Sequence, residues 1–512
     1  MRYSHILFAA LCTLPIGVFA QNETDALRLS QVNGAATARA LGLGGAGGSY
    51  GADFSSLSIN PAGIGVYRSS ELMITPVLRI NSGKGTYLGN TASDDVAKIG
   101  LNNFGVVFTN AARGNNYANS DWKTFSLGIG YNRIADFNTA GYYKGRNTQS
   151  SITEGFAADA LINGWGQNMV PPYGFLAYNG FLVYDDLTSI PYENIILEGG
   201  ALDQSKSWSS KGGINEWNLS FGGNYREQLL LGASLGLVSY KYEKTTRYRE
   251  EDATGDRDND FDYMQFNEYL STSGLGVNLK LGAIYVVDKS FRLGASFHSP
   301  TWSAFNDLAD YDLTSNTEQL KARTGQQDSN PESYVVPDNQ YQFDYSLRSP
   351  WRGVLSATAF MGQYGFVTVD YEYAAYNAMR YNFSGNDNKD YERSVNQAIK
   401  DTYKGAHSIR LGVEGKADNF LGRLGFAYQT SALRNAADYG GERMDFTAGI
   451  GGRFGGFFID LAYVHSIYKY SEFGYPILAA ENQAMGIRKI PVGIADIKNG
   501  NNLVALTVGF KF

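Results

Sequence analysis

Two kinds of glycine-framed motif in this sequence have the spacing of chemical sites. Gly42-Leu43-Gly44-Gly45-Ala46-Gly47 fits G-x-G-x-x-G, the loop that lets a backbone approach a dinucleotide pyrophosphate. Gly47-Gly48-Ser49-Tyr50-Gly51 and Gly232-Ala233-Ser234-Leu235-Gly236 fit G-x-S-x-G, the turn that presents a nucleophilic serine. Neither has the surroundings its chemistry needs. A dinucleotide loop follows a strand and opens a helix within a βαβ unit, and none is readable around 42–47. A serine elbow needs a strand-to-helix turn and a nearby base, whereas Ser234 falls in mid-strand between small neighbours. The chain has only four His. His5 lies in an N-terminal leader, His465 shares a face with Ile459, Leu461 and Tyr463, and His298 and His407 fall near strand ends. Asp256-Arg257-Asp258-Asn259-Asp260 begins like a calcium loop, but Phe261 stands where that loop needs Gly and Asn267 where it needs Glu. No His/Cys cluster has zinc or haem spacing. The expectation is a protein with no catalytic residues, no metal and no cofactor. A net charge of −7 without a basic run gives no reason for a nucleic-acid partner.

The elements that would have to position such motifs are of one kind. The chain holds 60 Gly, 36 Tyr and 29 Phe with only 18% charged residues, and after the N-terminus no apolar run is long enough for a spanning helix. From Glu71 onward the pattern has period two. Val504, Leu506, Val508, Phe510 and Phe512 share one face, and Ala505, Thr507, Gly509 and Lys511 the other. The same alternation recurs at 125–132, 217–225, 291–298 and 409–414, where Arg410 and Glu414 fall on the polar face. Such charges are costly inside a sandwich core and cheap on a watery lumen wall. The reading is an all-β fold: a transmembrane antiparallel β-barrel of about fourteen strands over 70–512. Tight connections near 226, 288, 362, 418 and 455 alternate with mostly long ones at 82–100, 138–212, 250–261, 302–340, 382–404 and 471–500. Short periplasmic turns and long external loops are the expected asymmetry. Residues 1–20 read as a signal peptide with a cleavage site after Val18-Phe19-Ala20; it would carry away Cys12, the sole cysteine. The expected location is the Gram-negative outer membrane, as a multi-pass, monomeric barrel in contact with lipid and lipopolysaccharide.

Two segments do not follow the strand pattern. Residues 21–69 are too rich in Gly, Ala and Ser to build a core of their own, and they end in the turn Asn60-Pro61-Ala62-Gly63. They read as a plug, or hatch, inside the lumen. In the loop at 138–212, Phe156, Leu161 and Trp165 follow helical spacing, and an apolar run including Phe175, Leu176 and Phe181 comes after. So much apolar surface on an external loop either packs on the rim or forms a ligand groove.

Arg39-Ala40-Leu41-Gly42 with Gly44-Gly45-Ala46, then Asp53, then Asn60-Pro61-Ala62-Gly63, resembles the hatch of the FadL/TodX-type outer-membrane transporters. The resemblance is strong over 35–80 and is architectural elsewhere, with fourteen strands, a long apolar loop after the third and a terminal Phe. It implies a passive channel for hydrophobic compounds such as long-chain fatty acids, which lodge in an external groove, pass a rearranging hatch and leave sideways into the bilayer. By the same analogy Asp53, Asn60, Pro61, Ala62 and Gly63 would gate passage, and Gly128 and Gly130 would permit a kink in the third strand. A related barrel that serves type IX secretion has a similar start. It would make this chain a structural protein that binds a protein partner.

Overall fold

The structure is a computed structural model that describes residues 22–32, 36–163, 166, 172–183, 200–257, 259–318, 332–385, 388–475 and 493–512. The signal-peptide segment and Trp165 lie outside these residues. Nineteen hydrogen-bonded segments form one sheet, and they make up fourteen wall strands because several strands come in pieces. The first six are β1 (Glu71–Tyr87), β2 (Asn90–Ala111), β3 (Trp122–Asp136, continued by Thr139–Asn147), β4 (Leu202–Tyr225), β5 (Leu229–Asp252) and β6 (Tyr263–Val286). Three interrupted strands follow: β7 (Phe291–His298 and Trp302–Asn316), β8 (Glu332–Val335, Tyr341–Arg348 and Arg352–Phe360) and β9 (Gly365–Ala374 and Arg380–Phe383). The last five are β10 (Ala406–Ala417), β11 (Phe420–Gln429), β12 (Gly440–Phe454), β13 (Phe457–Phe473) and β14 (Ile494–Lys511).

Every pairing is antiparallel, and β1 pairs with β14 from Glu71↔Lys511 to Tyr87↔Ala495, which closes the barrel. Beyond that ladder, Ser70 and Phe512 exchange two backbone hydrogen bonds of 3.0 Å. Closure leaves neither β1 nor β14 with a free edge, which hydrocarbon would not tolerate. The breaks in β7 and β8 fall side by side at Pro300 and Pro350, where a ladder donor is missing. Thr301 and Ser349 bridge the gap through Thr301 N to Ser349 Oγ at 2.8 Å and Ser349 N to Thr301 O at 3.0 Å.

The expected alternation orients the wall. Leu72, Ile74, Phe125, Phe221, Leu281, Leu411, Leu424, Ile450, Leu461 and Phe510 are exposed on the outside, while Thr75, Asn218, Ser220, Glu414 and Thr507 are buried inward. This apolar belt on a closed barrel is the surface of a Gram-negative outer-membrane-type protein. Several expected connections carry strand: Thr139–Asn147 and the start of Leu202–Tyr225 within 138–212, Trp302–Asn316 within 302–340, and the start of Ile494–Lys511 within 471–500. The segment at 82–100 is the top of the β1–β2 hairpin, closed by the two-residue turn Leu88-Gly89 with φ of 46° and 83°. Such a turn suits the twist of a hairpin. The strand pattern is absent there because both faces of the hairpin's β2 arm meet water.

Candidate functional site in the barrel lumen

The plug is built from short pieces that could not stand alone. Helix α1 (Glu23–Ser30) is followed by α2 (Ala38–Gly42), α3 (Ser56–Ile59) and a 3-10 turn at Pro61–Val66. Gly44, with φ of 69°, ends α2 in a conformation that other residues resist. Asp53 ties the pieces together. Its carboxylate accepts from Thr37 Oγ1 at 3.0 Å and from Ser55 N at 2.9 Å, and Ser55 Oγ accepts from Thr37 N at 2.8 Å. Asn60 caps the 3-10 turn by accepting from Ala62 N at 3.1 Å, while its amide donates to Gly48 O at 2.7 Å. The same amide reaches the wall carbonyls of Ala283 and Ala295 at 3.3 and 3.4 Å. Gly63 N donates to Asn60 O, and Gly63 O accepts from Ala52 N. Asp53, Asn60, Pro61, Ala62 and Gly63 therefore form one hydrogen-bonded, buried unit in the plug.

The wall holds this unit from several strands. Asp370 of β9 accepts from Gly47 N and Gly48 N at 2.8 and 3.0 Å. Thr507 of β14 accepts from Ala38 N, Thr447 of β12 from Gly44 N, and Thr124 of β3 donates to Gly65 O. Ser296 and His298 of β7 both meet Ile59 O. Arg39 makes a two-pronged contact with Glu414 at 2.9 and 2.8 Å; Glu414 is shared with Arg423, which also bonds Asp460 at 2.7 Å. A buried chain of alternating charges thus links plug to wall, each carboxylate serving two guanidinium groups.

The glycines of the wall provide the seat. A Cβ on Gly130 would run into the Phe54 ring, and one on Gly128 would lie 3.1 Å from Leu57. Gly222, Gly232 and Gly282 meet the 3-10 turn between Asn60 and Gly65 in the same way. Gly128 and Gly130 are thus not where β3 breaks: pairing with both neighbours runs unbroken through them. Their lack of a side chain makes room for the plug.

The break lies further along β3. Its ladder with β2 ends at Asn103↔Asn132. A jog follows, in which Asp136 accepts from Asn138 N at 3.0 Å and from Arg133 Nε at 2.7 Å, and Phe137 N donates to Gly212 O. Past the jog, Thr139–Asn147 pairs only with β4 among the described residues and lies under the β1–β2 hairpin, where Tyr143 packs on Tyr87 with ring centres 5.0 Å apart. Arg79 of β1 sits 3.7 Å from Asp136, and beside it Asn102 of β2 donates to the plug carbonyl of Ala36 at 2.7 Å.

A cavity of about 230 Å³ lies above the plug. Ser58 and Ile59 line its floor, α1 contributes Leu29 and Ser30, and Arg79, Ile134, Asp136 and Ile214 line the side at the break. The remaining lining is rich in ion pairs: Lys280 with Glu216, Arg352 and Arg410 with Glu372, and Arg443 with Asp445. Above the cavity, Ala26 and Leu29 of α1 fill an aromatic vestibule that includes Phe137, Tyr240, Tyr242, Phe305, Tyr345 and Tyr381. Both ends of α1 are held through backbone carbonyls, Asn22 O by Tyr381 at 3.0 Å and Ser30 O by Arg352 at 2.7 Å. Sequence reading did not find Arg352, Asp370 or this vestibule. The partners are hundreds of residues apart, and only the plug's open amides could have asked for them.

The external groove residues divide. Helices α5 (Ile152–Asn163) and α6 (Tyr173–Asn179), separated from α3 by the short α4 (Gly114–Asn119) between β2 and β3, belong to the loop after β3. Phe156 and Leu176 are buried with Tyr173, Phe266, Tyr311 and Leu313, so they pack on the upper wall. Phe175 and Phe181 are half-buried at its margin, and Leu161 lies within α5. Ser234 of the second serine motif bonds Ser220 and Asn218.

No protein-family model matches the chain, and no curated protein sequence matches it. Solved structures do. A FadL homologue from Pseudomonas aeruginosa superposes with a TM-score of 0.56 over 94% of this chain and 100% of its own, at 12% identity. The toluene transporter TodX of Pseudomonas putida gives 0.52 over 94% and 99%, also at 12% identity. The toluene transporter TbuX of Ralstonia pickettii gives 0.50 over 95% and 100%, at 12% identity. The chain has the FadL/TodX-type fold. Within this FadL-type barrel, Asn60-Pro61-Ala62 lies against β5 and β6 through Gly232 and Gly282.

Proposed function

We propose that this barrel is an outer-membrane channel for passive uptake of hydrophobic compounds that carry a polar head, long-chain fatty acids among them. It works as a monomer surrounded by lipid and lipopolysaccharide. One observation carries the reading: the cavity that touches the plug at Ser58 and Ile59 also touches Ile134 and Asp136 at the break in β3. A greasy solute has little reason to cross the rest of a charged lumen and good reason to leave into lipid. The route runs from the aromatic vestibule past α1 into the cavity and out through the seam between β2 and β3. Phe104, Tyr131 and Trp217 cluster just below that seam, with ring centres 5.4 to 5.6 Å apart. The ion pairs of the cavity favour an amphiphile over a bare hydrocarbon, because a charged head replaces hydration with fixed partners. Plug movement reaches the seam through Asn102 and Ala36.

The test is native mass spectrometry of the purified protein together with fatty-acid binding after reconstitution in lipid. Retained amphiphiles and saturable binding are expected. An empty lumen, no binding and a stable protein partner would reject the channel in favour of a secretion-associated barrel.

A further inference from the structure

Three lysines stand side by side on the outer wall where the barrel closes. Lys84 of β1 is the register partner of Lys498 of β14, and Lys498 is the partner of Lys469 of β13. All three are exposed, on the face that carries Ile80 and Val504 lower down. Side chains opposed in such a ladder have Cβ atoms about 4.5–5.5 Å apart, and like charges there repel. The ion pairs of these strands use other cations, Lys206 with Glu472 and Lys511 with Glu71, so none of the three is paired among the described residues. The acids of this face stand one step off the row: Asp496 accepts from Ser471 at 2.7 Å, and Asp95 lies opposite Ser82. Elsewhere the wall balances such charges. Lys211 and Lys241, also exposed above the belt, flank Glu243 at 2.7 and 3.0 Å.

The row sits at headgroup depth. Lys84 is four residues beyond Ile80, about 13 Å along the strand and about 10 Å along the membrane normal at the usual tilt. Below the row the wall is small and polar. A Cβ on Gly500 would meet nothing within 4 Å. Asn502 accepts from Tyr463 Oη at 2.7 Å and bonds His465 Nδ1 at 2.8 Å. Lower still, a hollow of about 690 Å³ opens on the lipid side, lined by Gly415, Gly422 and Ala448 with Leu424, Leu461 and Tyr463. Interior packing does not demand its glycines, since a Cβ on Gly415 or Gly422 also meets nothing within 4 Å. The upper end of the hollow, at Tyr463 and Val504, lies six residues below Lys469 and Lys498. That is about 20 Å along the strands, the depth of acyl chains.

We propose that this closure face binds the phosphorylated, multiply acylated glycolipid of the outer leaflet, the lipid A of lipopolysaccharide. The lysine row takes a phosphate and the hollow takes an acyl chain. A phosphate among three ammonium groups turns a repelling row into an attracting one. The hollow at acyl-chain depth favours a lipid over a free anion. A phosphate shared by Lys84 and Lys498 also ties the first wall strand to the last. The inference deepens the lipopolysaccharide contact proposed above by giving one molecule a seat, and it is independent of the solute in the lumen.

The test is native mass spectrometry of the full mature barrel in mild detergent, titrated with lipid A carrying two phosphates. Saturable binding of one lipid A per barrel is expected. Lys84→Gln with Lys469→Gln and Lys498→Gln should weaken it at least tenfold, whereas Lys211→Gln with Lys241→Gln should leave it within twofold. Gly415→Leu, which fills the hollow from the lipid side, should weaken it at least threefold. The triple variant should unfold at no lower temperature than the parent, because it loses a repulsion. Undiminished binding by the triple variant, or of lipid A stripped of its phosphates, overturns the site. Phosphatidylglycerol or inorganic phosphate bound as tightly as lipid A, with the same loss in the triple variant, overturns the glycolipid assignment. Fatty-acid binding is expected to be unchanged in the triple variant, so a failure here leaves the channel reading standing.

Discussion

At the scale of single residues, the plug is fixed by how little is there. Gly130 is the sharpest case, since any side chain meets the Phe54 ring and nothing on that wall can shift without moving a ladder. Overpacking of this kind costs about 1–3 kcal/mol. Gly130→Ala should therefore lower unfolding stability in detergent by roughly that amount, and Phe54→Ala in the same chain should restore part of it. Strictly additive losses would show that ring and glycine do not share a site. Asn60 was legible from its place in Asn60-Pro61-Ala62, because an amide before proline at a turn invites capping. That it also touches wall carbonyls of two strands was not legible, since no local pattern names a partner more than two hundred residues away. Gly128 and Gly130 show the reverse failure. A glycine in a strand signals either a bend or a close approach, and the sequence cannot distinguish them.

At the scale of elements, α1 is the part that the sequence announced least. Its weak helical character at 26–40 hides a helix with a full capping box at Asn22 and Asp25. It seals the cavity from the vestibule, with Leu29 buried to about the extent that contributes roughly 2 kcal/mol. Deleting 22–31 should leave the barrel folded and expose Val354, which lines the cavity. A cysteine placed there by Val354→Cys is expected to react with a water-soluble maleimide at least tenfold faster in the deleted chain. An unchanged rate would mean that another element makes the seal. The strands were legible wherever one face meets lipid. They were lost above the belt, as at 82–100 and 202–212, where both faces are wet or covered by polar loops and the period-two signal has no apolar partner to alternate with.

At the scale of the whole molecule, a chamber lined by ion pairs sits beneath a vestibule lined by aromatic rings. Barrel closure, belt and terminal strand were readable because the membrane imposes them on every strand alike. The long connections after β3 and β7 resist reading, since their packing depends on which other loops they meet. From Asn90 to Leu101, β2 pairs with β1 alone among the described residues, and this edge bears on how such molecules coexist in a crowded membrane. An exposed strand edge invites the next copy to extend it into a cross-β contact, and evolution guards such edges with charge. Asp94, Asp95 and Lys98 stand along this one. Replacing all three by Val should turn a monodisperse protein into one that self-associates within hours of detergent dilution, as followed by light scattering. If it stays monodisperse, the guard lies elsewhere. On this view the seam proposed as a solute's exit is also a site for misassembly, and three ordinary charged residues keep it from becoming one.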